Sequence, residues 1–153
     1  MANSVCEVLL TTEPLPGRVT AIAMEPDGDA GAIVDFWGVV RKLEEGKEIE
    51  GIDYEAHTTM AKHQLQLVLE SASEEFQLKQ VIAHHRIGFV AAGETSLFLR
   101  VKAPHRAAAF AASKWMVDEL KNKVPIWKRP RFKIDPPSLP LRGARQQRAS
   151  MVS

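Results

Sequence analysis

The sequence of 153 residues has a single cysteine, Cys6, and no long hydrophobic run. One cysteine cannot form an internal disulfide, so a stable fold must depend on an ordinary hydrophobic core, for which the chain is long enough. No apolar stretch approaches the ~20 residues that cross a bilayer. The first residues also lack the basic start and unbroken apolar stretch of a signal peptide. These absences predict a cytoplasmic protein that does not bind a membrane.

Motifs for metal ions and phosphate groups are missing as well. The adjacent His84 and His85 fall on a predicted strand, where neighbouring side chains point to opposite faces, so they cannot share one ion. No cysteine and histidine pair has the spacing of a zinc site. The glycines form neither G-x-G-x-x-G nor a P-loop, and no G-x-S-x-G elbow marks a serine nucleophile. The sequence therefore predicts no metal site and indicates no cofactor.

Charge is nearly balanced overall but unevenly distributed. The formal net charge is +1, whereas residues 129–153 hold six basic residues and one acid. A basic segment is one signature of nucleic-acid binding, but this one has a single aromatic residue and lacks the aromatic interleaving of a single-strand binding surface. We interpret it as a solvated end that binds no nucleic acid. Residues 1–135 are predicted to form one domain, and residues 136–153 a mobile, proline-containing tail.

The hydrophobic pattern predicts an α+β domain. Alternating or continuous apolar, β-branched segments indicate strands, and segments with a period near 3.6 indicate helices. Predicted strands cover residues 5–11, 31–40, 49–57, 80–88 and 95–103. Predicted helices cover residues 16–24, a segment capped by Thr58 or Thr59 that reaches Phe76, and residues 105–121. Two antiparallel-looking strand pairs interrupted by helices favour a mainly antiparallel sheet with packed helices.

Candidate functional residues are cations at the ends of these elements. Arg41 follows the second predicted strand, and His105 and Arg106 open the last helix, where free backbone N–H groups favour an anion. Lys121 lies in the last turn of that helix, and Lys128 follows it closely. Each also has an ordinary interpretation, as a solvated residue after a strand or as a cation that stabilises the helix dipole.

The two lysines have the more distinctive surroundings. Lys121 and Lys128 flank Pro125, which fixes the chain direction, and Lys128 also follows an apolar Ile-Trp pair that should hold it against the core. A lysine beside apolar surface loses solvation and can then act as a nucleophile or as a proton shuttle. The lysines are therefore the candidate catalytic residues.

Five segments resemble, in order, the motifs of one family. Residues 121–128, K-N-K-V-P-I-W-K, resemble its L-K-x-x-x-P-(I/F)-W-K signature, and residues 103–110, A-P-H-R-A-A-A-F, resemble its A-H-R-x-x-A-F helix start. The others are residues 31–41 (G-A-I-V-D-F-W-G-V-V-R), 54–61 (Y-E-A-H-T-T-M-A) and 85–88 (H-R-I-G). On these motifs the chain is identified as a member of the molybdopterin synthase large-subunit family.

The resemblance implies an α/β hammerhead fold and a heterotetramer, in which a central homodimer binds one small ubiquitin-like subunit at each end. The C-terminal Gly-Gly thiocarboxylate of the small subunit is implied to enter a pocket of the large subunit. There it delivers sulfur to cyclic pyranopterin monophosphate, and two added sulfurs make the dithiolene of molybdopterin. The family's activity is that of a sulfurtransferase in molybdenum cofactor biosynthesis.

The same motifs imply residue roles. Lys121 is the leading catalytic residue and Lys128 the second, and both also contact substrate. The other implied substrate-pocket residues, some acting through backbone atoms, are Val39, Val40, Arg41, His105, Arg106, Arg129 and Pro130. Phe36 is a candidate for the apolar wall that receives the partner's tail, with plain core as the alternative.

The last helix sets a geometric constraint on that pocket. From His105 to Lys121 there are sixteen steps of ~1.5 Å, on the order of 24 Å, which far exceeds the length of a pterin monophosphate. We therefore expect a two-fold dimer to bring the start of one copy's helix beside the end of its partner's. The alternative is that His105 and Arg106 only cap their own helix.

The sequence departs from the family pattern at two points. After Arg41 the family often has a polar Asn-His stretch, whereas this chain has K-L-E-E, and after Lys128 it usually has a basic residue and then Glu, whereas this chain has R-P. The alternative function is a non-catalytic module of the same fold, either a partner-docking dimer or an RNA-binding protein. The intact lysines argue against the first, and the confinement of charge to the tail argues against the second.

Overall fold

The structure is a computed structural model that describes residues 5–15, 28–133 and 150–151. These residues form nine strands and two helices, in the order β1 (Val5–Thr11), β2 (Ala32–Val39), β3 (Leu43–Glu44), β4 (Lys47–Ala56), α1 (Thr58–Phe76), β5 (Gln80–Arg86), β6 (Gly88–Ala91), β7 (Thr95–Ala103), α2 (Arg106–Lys123), β8 (Ile126–Phe132) and β9 (Ser150–Met151). Neither helix is long and apolar enough to span a membrane.

The first sheet has the strand order β1-β5-β7-β2, with β1 parallel to β5 and the other pairs antiparallel. Strand alternation turns every second side chain towards the helices, which pack on this face. The resulting core joins sheet residues to one apolar stripe of each helix, and its members include Val81, Ala83, Leu99, Val101, Leu65, Leu69, Met116 and Leu120. This arrangement confirms the predicted α+β class with packed helices.

The second sheet has the order β3-β4-β8-β9, with β6 also paired to β4, and its pairs are antiparallel. β4 and β8 pair in a register that sets Tyr54 opposite Lys128. A register shift between Ile49 and Gly51 bends β4. The bent sheet places one of the candidate lysines near the end of β2, which belongs to the first sheet.

Three of the predicted elements have other boundaries in the structure. The N-cap of α1 is His57 rather than Thr58 or Thr59, because the imidazole Nδ1 of His57 accepts a hydrogen bond from the Met60 N–H at 3.3 Å. The strand predicted over residues 80–88 is two strands, since Gly88 has a φ of +89° and breaks the extended backbone after Arg86. The last helix begins at Arg106 with His105 as its N-cap, and it continues to Lys123.

The strand β8 also differs from the prediction, which placed no strand after the last helix. Pro130 is tolerated in it because, among the described residues, β9 pairs with β8 only at Trp127 and Lys128, so the outer edge at Pro130 carries no strand. The helix predicted over residues 16–24 lies outside the described residues. So do the predicted domain boundary at residue 135 and the predicted tail, apart from Ser150 and Met151, whose backbone pairs with β8.

Candidate active site

A pocket of about 280 Å³ lies between the end of β2, the β3–β4 hairpin and β8. It brings together residues from both sheets: Phe36, Trp37, Gly38, Val39, Val40, Arg41, Leu43, Glu44, Ile49, Ile52, Tyr54, Ser96, Leu97 and Lys128. Five of the residues predicted from the sequence are in this set, namely Phe36, Val39, Val40, Arg41 and Lys128. The pocket is therefore the structure's candidate for the substrate and partner-tail site.

The end of β2 is fixed by the turn between β6 and β7. The Val40 N–H donates to the Glu94 carbonyl at 3.0 Å, and the Gly93 N–H donates to the Val40 carbonyl at 2.7 Å. The buried Arg86, the last residue of β5, donates from Nη1 to the Glu94 carboxylate at 2.7 Å and so connects the turn to β5. Because both backbone groups of Val40 are hydrogen-bonded, they fix the position of the next residue, Arg41, which lies on the exposed rim of the pocket.

The apolar wall of the pocket is accessible to solvent. Phe36 is 36% exposed, Leu43 is 47% exposed and Val39 is 52% exposed. The register shift between Gly38 and Val39 interrupts the pairing of β2 with β7 at this point. Exposed apolar side chains around a concave site are typical of a site that binds a ligand or a partner segment.

Lys128 is the half-buried cation of the pocket. Its Nζ lies 3.6 Å from Oε1 of Glu44, and each of these side chains is 18% exposed. Strand alternation explains its orientation, since Lys128 and Tyr54 are cross-strand partners and both line the pocket. With Arg41 on the rim, the pocket has two cations and one acid, a surface that suits an anion.

Tyr54 forms part of the polar side of the pocket. Burial raises the pKa of the Tyr54 phenol, a hydrogen bond with Ser96 acts in the opposite direction, and the nearby Glu44 carboxylate adds to the rise. The Ser96 hydroxyl donates to the Gly38 carbonyl at 3.3 Å. Tyr54 therefore stays protonated at neutral pH, and it offers the pocket a neutral hydroxyl rather than a charge.

His85 lies directly behind Tyr54. It is fully buried, and its Nδ1–H donates to the Arg86 carbonyl at 2.7 Å. Burial lowers the pKa of His85 to about 4, and the hydrogen bond to the Arg86 backbone acts in the opposite direction. The adjacent His84 is directed elsewhere, with its Nε2 2.7 Å from the Glu7 carboxylate, as expected for neighbours on one strand.

The remaining predicted residues lie outside this pocket. Lys121 is exposed in the last turn of α2, and His105 and Arg106 are exposed at the other end of the same helix. Pro130 is on β8 but does not line the pocket. Arg129 points to the opposite face of β8 from Lys128, because successive strand residues alternate, and its Nη1 donates to Glu55 at 3.0 Å. Within one copy of the chain, the structure does not bring these residues together with Arg41 and Lys128.

Sequence reasoning missed three polar residues of the pocket: Glu44, Tyr54 and Ser96. Tyr54 had a usable signal, since it alternates with Ile52 on a predicted strand and therefore shares the inward face. Glu44 had none, because its neighbour Lys128 is 84 positions away and reaches it only through the bend of the second sheet.

Basic residues on and just after β8 bear on the RNA-binding alternative. Arg129 and Arg131 of β8 and the following Lys133 pair with acids of β4: Arg129 with Glu55 at 3.0 Å, Arg131 with Asp53 at 2.8 Å, and Lys133 with Glu48 at 3.3 Å. Half of the basic residues between positions 129 and 153 are neutralised in this way. This pairing leaves less free positive charge for a phosphate backbone than the sequence suggests.

Comparisons with known proteins agree with this architecture. The family described as MoaE protein matches residues 10–123. A molybdopterin synthase catalytic subunit from Pyrococcus abyssi is 38% identical over 109 residues, which are 71% of this chain and 74% of that protein. The solved structure of molybdopterin synthase from Staphylococcus aureus has a TM-score of 0.73 and 27% identity, over 84% of this chain and 92% of that one.

A more distant structure shares the fold alone. It is a complex of subunits 1 and 2 of molybdopterin-converting factor from Helicobacter pylori, with a TM-score of 0.65 and 21% identity, over 92% of this chain and 97% of that one. The family match spans both helices and all strands from β2 to β7, and it ends before β8, so the placement of Lys128 comes from the structure itself. The chain is similar to molybdopterin synthase catalytic subunits. It belongs to the MoaE family, and its role is in molybdenum cofactor biosynthesis.

Proposed function

We propose that this chain is the sulfurtransferase subunit of a molybdopterin synthase. It takes sulfur from the thiocarboxylated C-terminus of a small ubiquitin-like subunit and transfers it to cyclic pyranopterin monophosphate, which becomes the dithiolene of molybdopterin. The observation that supports this most strongly is the pocket in which half-buried Lys128 faces an accessible apolar wall, in a chain of the MoaE family.

The pocket suits both reactants. An extended Gly-Gly tail has no side chains, so it fits against the wall formed by Phe36, Val39 and Leu43 with its backbone free to hydrogen-bond. The thiocarboxylate and the substrate phosphate are anions, and Arg41 and Lys128 offer charge-assisted hydrogen bonds to them. The donor arrives activated, so no nucleotide site is required. Developing negative charge on the displaced oxygen is stabilised by the same cations.

The partner is a small sulfur-carrier subunit. The two-subunit complex from Helicobacter pylori supports this part of the proposal, because one chain of that complex shares its fold with this chain over 92% of this chain's length. A homodimer of this chain with one small subunit at each end gives a heterotetramer. No nucleic acid and no resident cofactor enter the proposed reaction.

A second copy of this chain completes the site. His105 and Lys121 are at opposite ends of α2, on the order of 24 Å apart at ~1.5 Å per residue, so one pterin monophosphate cannot touch both within one copy. A two-fold dimer that sets the start of one α2 beside the end of the other allows it. In this arrangement Lys121 acts in catalysis near the pocket, and His105 and Arg106 of the second copy bind the substrate's phosphate.

The pocket itself is tested by comparing Lys128→Ala with Lys123→Ala in the reconstituted reaction. Lys123 is an exposed lysine whose Nζ is 2.7 Å from Glu119, and it does not line the pocket. Lys123→Ala therefore removes the same charge without changing the site. The proposal expects a strong loss of dithiolene formation only for Lys128→Ala. Equal activity of the two variants would remove Lys128 from the mechanism.

A further inference from the structure

Glu44 is the one carboxylate among the described residues that line the pocket. It is the last residue of β3, directly before a tight turn in which Glu45 and Gly46 have φ values of +52° and +78°. Two consecutive positive φ angles are typical of the two-residue hairpin turn. The hairpin thus fixes the position from which the Glu44 side chain reaches 3.6 Å from Lys128.

An acid beside the pocket's half-buried cation opposes the binding of an anionic tail. The proposed reaction gives a reason for such opposition. One thiocarboxylate carries one sulfur, whereas a dithiolene contains two, so each product requires two tails in succession. After each transfer the tail is a plain carboxylate, which must leave before the next thiocarboxylate enters. A carboxylate held by Lys128 and Arg41 leaves slowly, because charge-assisted hydrogen bonds are strong.

We propose that Glu44 is a positioning residue that competes with the spent tail for Lys128 and thereby promotes release of that tail. This inference depends on the proposed function. The exchange involves no covalent step: the Lys128 ammonium leaves the tail's carboxylate and returns to the Glu44 carboxylate, with no net transfer of a proton. Glu44 also keeps Lys128 directed into the empty pocket, so the second tail meets an ordered cation.

Three features of the structure support this competition. Glu44 and Lys128 are equally shielded, at 18% exposure, so their attraction is less screened than that of a surface pair. The separation of 3.6 Å is an ion pair without an ideal hydrogen bond, which an incoming carboxylate can replace. Glu44 also lies close enough to Tyr54 to raise the pKa of its phenol, so its charge acts on the interior of the pocket.

The test measures binding of a short peptide ending in Gly-Gly to the full-length chain, once with a free terminal carboxylate and once with a terminal amide. The variants are wild type, Glu44→Gln, Glu44→Asp and the control Glu45→Gln, which removes the same charge from a turn residue that does not line the pocket. We expect Glu44→Gln to bind the carboxylate peptide on the order of tenfold more tightly. The amide peptide should bind all variants within about twofold of one another, and Glu44→Asp should lie between Glu44→Gln and wild type.

In turnover, Glu44→Gln should show a lower KM for the small subunit, a lower kcat, and stronger inhibition by the carboxylate form of that subunit. A residue that only stabilised the hairpin would lower the melting temperature instead and leave the charge dependence of peptide binding unchanged. Equal affinity of wild type and Glu44→Gln for the carboxylate peptide would overturn the inference, and so would a peptide that no variant binds at millimolar concentration. If wild type forms no dithiolene, the proposed function fails. If it forms dithiolene and the peptide affinities do not differ, only the inference about Glu44 fails.

Discussion

The ring of Tyr54 packs edge-on against the imidazole of His85, with the ring centroids 5.1 Å apart and the planes at 78°. Tyr54 lines the pocket, whereas His85 is fully buried behind it. The contact connects the core of the first sheet to the candidate site. Protonation of His85 would therefore disturb a residue that lines the pocket.

Acid should therefore destabilise the protein through His85. Burial lowers its pKa to about 4, compared with about 6.5 in an unfolded chain, so between these pH values the unfolded state binds more protons. The contribution of His85 to stability is complete above pH 6.5 and falls as the pH drops towards 4, by about 3 kcal/mol in all. Urea unfolding at pH 7, 5.5 and 4 measures this change.

The histidine effect has a matched control. His85→Leu should lose most of the dependence of unfolding free energy on pH between 6.5 and 4, even if its stability at pH 7 is lower. His63→Leu changes an exposed histidine of α1 and should keep the wild-type dependence. An unchanged pH dependence in His85→Leu would show that other groups cause the acid sensitivity.

The two catalytic candidates should differ in degree. Lys121→Ala is expected to abolish nearly all turnover and Lys128→Ala to reduce it strongly, because general acid–base groups typically contribute 10²- to 10⁴-fold, that is, roughly two to four orders of magnitude. Folding should change little, since Lys121 is exposed and Lys128 is half-buried. Rates of dithiolene formation and melting temperatures are the measurements. Wild-type turnover in Lys121→Ala would remove its catalytic assignment.

Phe36 should matter for the partner more than for the core. At 36% exposure its side chain loses only part of its contact area when truncated, so Phe36→Ala should lower stability by about 1–2 kcal/mol. It should also weaken binding of the small subunit, because the apolar wall is lost. Phe110→Ala, at a 62% exposed position on α2, is the control. If Phe36→Ala changed neither partner affinity nor melting temperature, both interpretations of Phe36 would fail.

The site shared between two copies predicts complementation. Lys121→Ala and Arg106→Ala proteins, each inactive alone, would be mixed under conditions that allow subunit exchange. A heterodimer then has one site that lacks both side chains and one that keeps both, so about one working site of two should recover. If heterodimers form and no activity returns, the site is not shared between two copies.

Much of the fold was predictable because its signals are local. The core stripes of α1 and α2 follow the helical period, and β1, β2, β4, β5 and β7 show apolar alternation or β-branched runs, whereas the two-residue β3 shows neither. Two departures have local causes that composition obscures: β8 contains a proline and three charged residues, and the α1 cap is an imidazole rather than a hydroxyl. Both required the geometry of the backbone.

The site was predictable only in part because it depends on contacts that are distant in sequence. Arg41 is indicated by its place after a strand and Lys128 by the Ile-Trp pair before it, whereas Val39 and Val40 come from the family resemblance and Phe36 from the partner tail that the resemblance implies. Glu44 escaped because its position depends on the register shift in β4 and on the hairpin turn. The family resemblance assigns Arg129 to the pocket, whereas strand alternation turns it to the other face of β8. The roles of Lys121, His105 and Arg106 stay predictions.

Sulfur transfer itself is the most direct test. The wild-type chain would be mixed with a thiocarboxylated small subunit and cyclic pyranopterin monophosphate, and both the dithiolene formed and the thiocarboxylate consumed would be quantified. The account predicts dithiolene at a ratio of two thiocarboxylates per product, since each carries one sulfur, and none from the carboxylate form of the small subunit. Absence of dithiolene, under conditions in which the Pyrococcus abyssi catalytic subunit forms it, would contradict the account.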